Sequence, residues 1–383
     1  MELKKIIANY KNLKRDDKKM ALATVVRVKG SSYRSPGARM LMTTEGMWIG
    51  SISGGCLEGD ALRKARKVIA GGVPEVVTYD TSEDENGMAF GLGCNGIIDV
   101  LIEPISGVKN DPMKVLSAFE DINATGWLIK VVESNCKAVS SGEVIYKTPE
   151  TGIVASNRVL QTAAAEAIYQ LEENRSSGMF EILYEGEKIE VFAETMEPPI
   201  RLLVFGGGFD VRPLVAMASK LGWVCDVTDE CMAHVAPAFF PDADRVAHCR
   251  REYALNEFKL TAYTACVLMS HNFEYDKEIF KQLSLSQIKP HYIGILGPKK
   301  RFDHILSELD RESIDVSAIL PLTYSPIGLD IGAETPEEIA LSILAEIKTV
   351  FTGRSGAFLK NRKAPIHNRT SDQEILKTHK MEE

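Results

Sequence analysis

The 383-residue sequence contains no C-x-x-C pair, no H-E-x-x-H and no G-x-x-x-x-G-K-[ST]. Zinc ribbons, iron–sulfur ligand sets and P-loop ATPases are excluded with them. Its seven cysteines, at 56, 94, 136, 225, 231, 249 and 266, are odd in number and scattered. That suits a reducing cytosol better than a disulfide framework. No apolar run approaches the roughly 20 residues of a membrane span. The start, "MELKKIIANYKNLKRDDKK", is charged and amphipathic and lacks the apolar core of a secretion signal, so a cytoplasmic protein is expected. A net charge of -8 gives no reason to expect nucleic acid or an anionic membrane as partner.

What is present reads as a soluble globular chain of two or three domains, 45% hydrophobic and 26% charged. Residues 2–18 predict a helix and "ALATVVRV" a strand. "ARMLMTT" and "MWIGSIS" predict a hairpin turning at Thr44–Met47. A helix at 57–70 stops at Gly71–Gly72. Antiparallel strands follow to about residue 195, with a helix at 160–174 among them, and Pro198–Pro199 mark a boundary. From residue 201 short apolar strands alternate with helices, the pattern of a parallel, doubly wound sheet. The fold class expected is therefore α/β. An N-terminal α+β domain with mixed or antiparallel strands covers 1–195, a Rossmann-like sheet covers 200–350, and a flexible polar tail covers 352–383.

Two stretches carry candidate chemistry. In "SISGGCLEGD", Gly54 and Gly55 run into Cys56 at the start of a helix. A helix N-terminus carries unpaired N–H groups and partial positive charge, which favours a thiolate, while glycines let a ligand approach the backbone. The other reading is a small buried residue at a tight turn. The predicted hairpin, with Thr43 facing Trp48, carries "SSYRSPGAR" alongside "SGGC". Ser31, Ser32, Arg34 and Arg39 then become candidates for holding a phosphate; ordinary surface pairing is the alternative for the arginines.

In "RLLVFGGGFDVRPL", Gly206 and Gly208 end a strand, and Asp229 lies 21 residues beyond Gly208 at the end of the next. This is dinucleotide-binding logic: glycines admit a pyrophosphate and the carboxylate holds a ribose. The third glycine position is Val211, and a crevice that is empty or repurposed is the alternative. His271, in "SHNFEYD", falls at the carboxyl edge of the sheet as a candidate acid/base, or as a loop histidine bonded to backbone. No metal site is expected.

"GSSYRSPGARML", "SGGCLEGDAL" and "GLGCNG" resemble the N-terminal domain of the XdhC/CoxI family. "VFGGGFDVRPL", "FPDADRV", "SHNFEYD", "YIGILGPKKR" and "PIGLDIGAETPEEIALSILAEI" resemble its Rossmann domain. The resemblance implies an accessory factor that binds molybdenum cofactor (molybdopterin) as cargo, supports its sulfuration and delivers it to a molybdenum hydroxylase apoenzyme such as xanthine dehydrogenase. Cys56 is the matching family cysteine and Cys94 the second. A cysteine desulfurase as sulfur donor and a homodimer are also implied. The family's D-x-R after the Rossmann aspartate reads Asp229–Glu230–Cys231 here, which removes a cation from the ribose or phosphate end. The family role favours a maturation factor over a catalytic oxidoreductase, as does the lack of clustered cysteines for iron–sulfur centres. Two alternatives stand beside it: an NAD(P)-dependent oxidoreductase with His271 as acid/base, and a module that senses NAD(P) or another adenine nucleotide and gates assembly.

Overall fold

The structure, a computed structural model, describes residues 2–30, 32–80, 96–107, 110–174, 177–363 and 374–376. The chain divides into two compact units, one built on Glu2–Pro198 and one on Pro199–Ala364.

The first unit opens with helix α1 (Glu2–Arg15). Its first sheet contains β1 (Met20–Gly30), β2 (Arg39–Thr43), β3 (Trp48–Gly50), β4 (Glu75–Asp80) and β5 (Gly96–Ile105), in the order β3-β2-β1-β5-β4 with every pair antiparallel. Helix α2 (Glu58–Gly71) covers one face and ends on Gly72, whose φ of 68° is left-handed. Ala21, Ala23, Val25, Met40, Met42, Val100 and Ile102 meet Ala61, Ala65 and Val68 of α2. The alternate residues Met20, Leu22 and Leu41 pack on the opposite face with Ile6, Ile7 and Tyr10 of α1. β1 is thus buried at every residue from Met20 to Val26, and apolar at all of them but Thr24, because both faces of the sheet are covered there. The second sheet follows helix α3 (Pro112–Ser117), which Asp111 caps. It contains β6 (Gly126–Ser134), β7 (Val144–Thr148), β8 (Gly152–Ala155), β9 (Gly178–Tyr184) and β10 (Glu187–Met196), ordered β9-β10-β6-β7-β8 and antiparallel, with helix α4 (Arg158–Asn174) on one face. Within the stretch expected as a flexible tail, Glu374–Leu376 add a parallel strand beside β9.

The hairpin register differs by one residue from expectation. Thr43 pairs with Met47, not Trp48, and the ladder runs Met42↔Trp48 to Met40↔Gly50. The cause is a three-residue loop: Gly46 takes φ 101°, its N–H reaches Thr43 O at 3.2 Å, and Thr43 N–H reaches Met47 O at 2.9 Å. Pairing stops at Gly50, so the ladder does not extend to Gly37 or Gly54.

The second unit is a six-stranded parallel sheet. Its strands are β11 (Arg201–Phe205), β12 (Val224–Asp229), β13 (Arg245–His248), β14 (Thr264–Leu268), β15 (Tyr292–Ile295) and β16 (Thr323–Tyr324), in the order β13-β12-β11-β14-β15-β16. Helices α5 (Val211–Lys220) and α8 (Pro336–Thr352) pack on one face. Helices α6 (Phe273–Leu285) and α7 (Lys299–Arg311) pack on the other. This is the doubly wound order whose switch point lies between β11 and β14. The α8 start is a capping box, with Thr335 and Glu338 satisfying each other's N–H groups. Among the described residues no helix is long and apolar enough to cross a membrane.

Candidate functional site

Chain leaving β3 at Gly50 does not run straight into α2. Residues 51–57 wrap around the side chain of Glu58, the first residue of the helix. Glu58 Oε1 accepts from the N–H groups of Ile52 (3.1 Å), Ser53 (3.0 Å) and Gly54 (3.2 Å) and from Ser51 Oγ (2.8 Å). Oε2 accepts from the N–H groups of Gly55 (3.0 Å) and Leu57 (3.1 Å) and from Ser53 Oγ (2.6 Å). Burial opposes ionisation of this carboxyl, but the hydroxyl and N–H of Ser53 and the hydroxyl of Ser51 outweigh it and hold the pKa down to about 2.

The expectation of bare glycine N–H groups open to an external anion is therefore corrected. The chain's own carboxylate fills that place. Gly54 and Gly55 are required by backbone shape, with φ of 97° and 126°. Cys56 precedes the helix N-cap, Leu57, and so lies ahead of the first turn. Its thiol is free and partly exposed, and its N–H donates to Ser53 Oγ at 3.1 Å.

The loop 32–38 does come beside this turn, although not through the ladder. A Cβ on Gly54 would stand 2.9 Å from Cδ1 of Tyr33, whose side chain is otherwise exposed. Arg34 N–H donates to Ser32 Oγ at 3.3 Å. Arg39 is buried and engaged elsewhere, which corrects its assignment to a phosphate. Its guanidinium forms an ion pair with Glu194 of β10, with Nη1 at 3.2 Å from Oε1, and also donates to Gly37 O at 3.0 Å. The same Glu194 oxygen would lie 2.6 Å from a Cβ on Gly37, so the carboxylate packs against the end of loop 32–38, which Arg39 ties to it through Gly37 O. Ser31 and Cys94 lie outside the described residues.

In the second unit the glycine turn sits at the switch point. Gly206 takes φ 126°, and a Cβ there would stand 2.5 Å from Met269 O; one on Gly207 would stand 2.6 Å from His234 O. These glycines allow three backbone segments to touch. Asp229 does not face an open crevice. Oδ2 accepts from Gly207 N–H at 2.8 Å and lies 3.0 Å from His234 Nδ1, while Oδ1 accepts from Cys231 N–H at 2.8 Å. The carboxylate is buried and already takes three partners within the turn itself, so it does not present itself to a dinucleotide ribose in this arrangement. Gly206 N–H is likewise taken, by Thr228 O at 2.8 Å. A Cβ on Gly208 would meet Asp210 Oδ1 at 2.7 Å. His271 is exposed, holds a left-handed φ of 57°, and places Nε2 2.9 Å from Asp210 Oδ2. Beside this turn a cleft of about 320 Å³ is lined by Phe209, Arg212, Phe239 and Phe240, with Arg212 4.0 Å above the Phe239 ring. Among the described residues no group of three or more His, Cys, Asp or Glu is arranged to hold a metal ion.

Residues 13–80 match the XdhC and CoxI family, and residues 202–347 match the XdhC Rossmann domain. Over 334 residues the chain is 32% identical to a protein of Bacillus subtilis (strain 168) named as a probable xanthine dehydrogenase subunit, covering 87% of this chain and 93% of that one. The chain belongs to the XdhC/CoxI family. It is also 20% identical over 329 residues to the "Molybdenum cofactor insertion chaperone PaoD" of Escherichia coli (strain K12), covering 86% of this chain and 82% of that protein. A crystal structure described as a xanthine dehydrogenase from Bacillus halodurans superposes with a TM-score of 0.72 at 32% identity, over 91% of this chain and 96% of that one.

Sequence reasoning missed two residues of this XdhC-type N-terminal unit, Glu58 and Tyr33. A signal for Glu58 existed. An acid at the very start of a helical run, three residues after Gly55, is within reach of the N–H groups of the turn ahead of it, and Gly55 N–H does donate to it at 3.0 Å. Tyr33 had none, because only the packed loops bring its ring to Gly54.

Proposed function

We propose that this chain is an accessory factor for a molybdenum hydroxylase. It receives molybdenum cofactor as cargo, keeps it in a form that can be sulfurated with sulfur from a cysteine desulfurase, and passes it to the apoenzyme. The observation that carries the reading is Cys56: a free, partly exposed thiol on a turn held by Glu58, with Tyr33 beside it, in a chain of the XdhC/CoxI family. The relative named as a molybdenum cofactor insertion chaperone supports the same cargo. A thiol that ligates a metal does so as the thiolate, so coordination displaces its proton. In this reading Cys56 Sγ contacts the metal centre of the cargo, and Cys94 is the second sulfur. Ser32 and Arg34 hold the cargo's phosphate; Arg39 drops out of that role.

A dinucleotide-dependent oxidation is the weaker reading, because Asp229 is spent on Gly207, Cys231 and His234. Calorimetric titration with NADH separates the two. Micromolar binding that is lost in Asp229→Ala would restore a nucleotide-binding role for this unit, as oxidoreductase or as sensing module.

The accessory reading is tested by Cys56→Ser. The thermal melt stays within about 0.5 kcal/mol of the parent, as for a partly exposed side chain. Activation of a co-expressed molybdenum hydroxylase is lost. Normal activation by the variant overturns the reading.

A further inference from the structure

We infer that Glu58 is the positioning residue of the Cys56 turn, an anion built into the chain that fixes the thiol before any cargo arrives. The inference rests on the reading of Cys56 above. A carboxylate has about four lone-pair sites. This one accepts from five backbone N–H groups, those of Ile52, Ser53, Gly54, Gly55 and Leu57, and from two hydroxyls, those of Ser51 and Ser53. Within 52–57 the N–H of Cys56 itself goes instead to Ser53 Oγ at 3.1 Å, and that hydroxyl donates to Glu58 Oε2. Leu57 N–H reaches the same Ser53 Oγ at 2.9 Å. The backbone on both sides of Cys56 is therefore tied to one carboxylate, directly at Gly55 and Leu57 and through a single hydroxyl at Cys56.

Concave rings of N–H groups bind anions. Left empty, this one would either take an anion from solution or lose its shape. Glu58 removes both outcomes. The turn has its binding geometry without cargo, and the cargo's phosphate is excluded from the nest and must be held elsewhere. Preorganisation of this kind supports a reacting group without touching the reacting atoms.

The test removes the built-in anion and supplies it from solution. Glu58→Ala leaves a space of carboxylate shape, and formate is the probe. Two rates are read on the purified full chain. One is alkylation of Cys56 by iodoacetamide, followed on the Cys56 peptide by mass spectrometry because Cys231 is also exposed. The other is activation of a purified hydroxylase apoenzyme supplied with cofactor. In Glu58→Ala, without formate, activation falls about tenfold and the Cys56 alkylation rate departs from the parent's by about threefold or more, and both move back toward the parent when formate is added. The parent responds to neither. Glu58→Asp recovers part of the activation. Glu58→Gln, which keeps the shape but turns an amide N–H₂ toward donors, loses activation as the alanine variant does, has no space for formate and so is not rescued by it, and carries the test by that loss where the alanine variant does not fold. Parent-level alkylation and activation in Glu58→Ala and Glu58→Gln, with no formate response, overturn the inference. If Cys56→Ser also activates normally, the functional reading has failed, and the formate dependence of alkylation alone still decides the role of Glu58.

Discussion

Asp229 and Gly207 are joined across the first crossover of the parallel sheet: the Gly207 N–H donates to Asp229 Oδ2 at 2.8 Å. The other oxygen holds the N–H of Cys231 at 2.8 Å, so one carboxylate ties the turn after β11 to the chain leaving β12. Asp229→Asn can satisfy one of those donors but turns its own N–H₂ toward the other. A buried donor left without an acceptor costs about 1–3 kcal/mol. Chemical denaturation should show a midpoint lowered accordingly with the slope unchanged. An unaltered midpoint would mean that the turn is held by the glycine packing alone.

Gly54 and Gly55 are expected to respond differently to alanine. Both have positive φ, at 97° and 126°, and backbone strain costs of order 1–3 kcal/mol at each. Gly54→Ala also drives its Cβ to 2.9 Å from the Tyr33 ring, whereas nothing lies within 4 Å of a Cβ on Gly55. Tyr33→Ala should therefore relieve part of the Gly54→Ala penalty and none of the Gly55→Ala penalty. A double-mutant cycle on the thermal melts measures this, and equal coupling for both glycines would show the ring is not against Gly54.

Glu58 should shape the acid limb of stability. Its carboxyl lies at about 2 in the folded chain against an ordinary 4.5, so its contribution is present in full above 4.5 and is lost as pH falls from there toward 2. Glu58→Gln never has that contribution. The gap between parent and variant melting temperatures should be widest near pH 6 and close as pH drops through this window. A gap independent of pH would assign the loss to packing.

Glu103 of β5 and Lys130 of β6 form an ion pair that is buried on both sides, linking the two sheets of the first unit. Burial pushes the Glu103 carboxyl up and the Lys130 ammonium down, each opposed by attraction to its partner. Lys130→Met strands the carboxylate and should cost about 3–5 kcal/mol. Glu103→Leu combined with Lys130→Met removes both desolvation penalties and should be distinctly more stable than the single variant by urea denaturation. If the double variant is the weaker, the pair contributes net stability.

Local periodicity and turn chemistry made much of this protein legible in the sequence. Strands alternating with helices beyond Pro199 specify a parallel sheet, because each apolar strand needs a covered face and each crossover a helix. The run of α2 ended at a glycine able to take the left-handed turn at Gly72. The pairing of "SGGC" with a helix start was also visible, as was the Gly206-to-Asp229 spacing. What failed depended on partners distant in sequence or on a single dihedral. A positive φ at Gly46 shortened the hairpin loop and moved the register by one residue. Glu194 lies 155 residues from the Arg39 it neutralises, and no pattern around Arg39 announces that pairing. Asp229 has the correct spacing for a ribose ligand, yet the chain just beyond its own strand returns to take its oxygens. Glu58 is the sharpest case. Glycines before a helix suggest an anion site from sequence alone. Only the folded turn shows that the anion is supplied by the helix itself, because backbone N–H groups bind whichever carboxylate the chain brings within 3 Å of them.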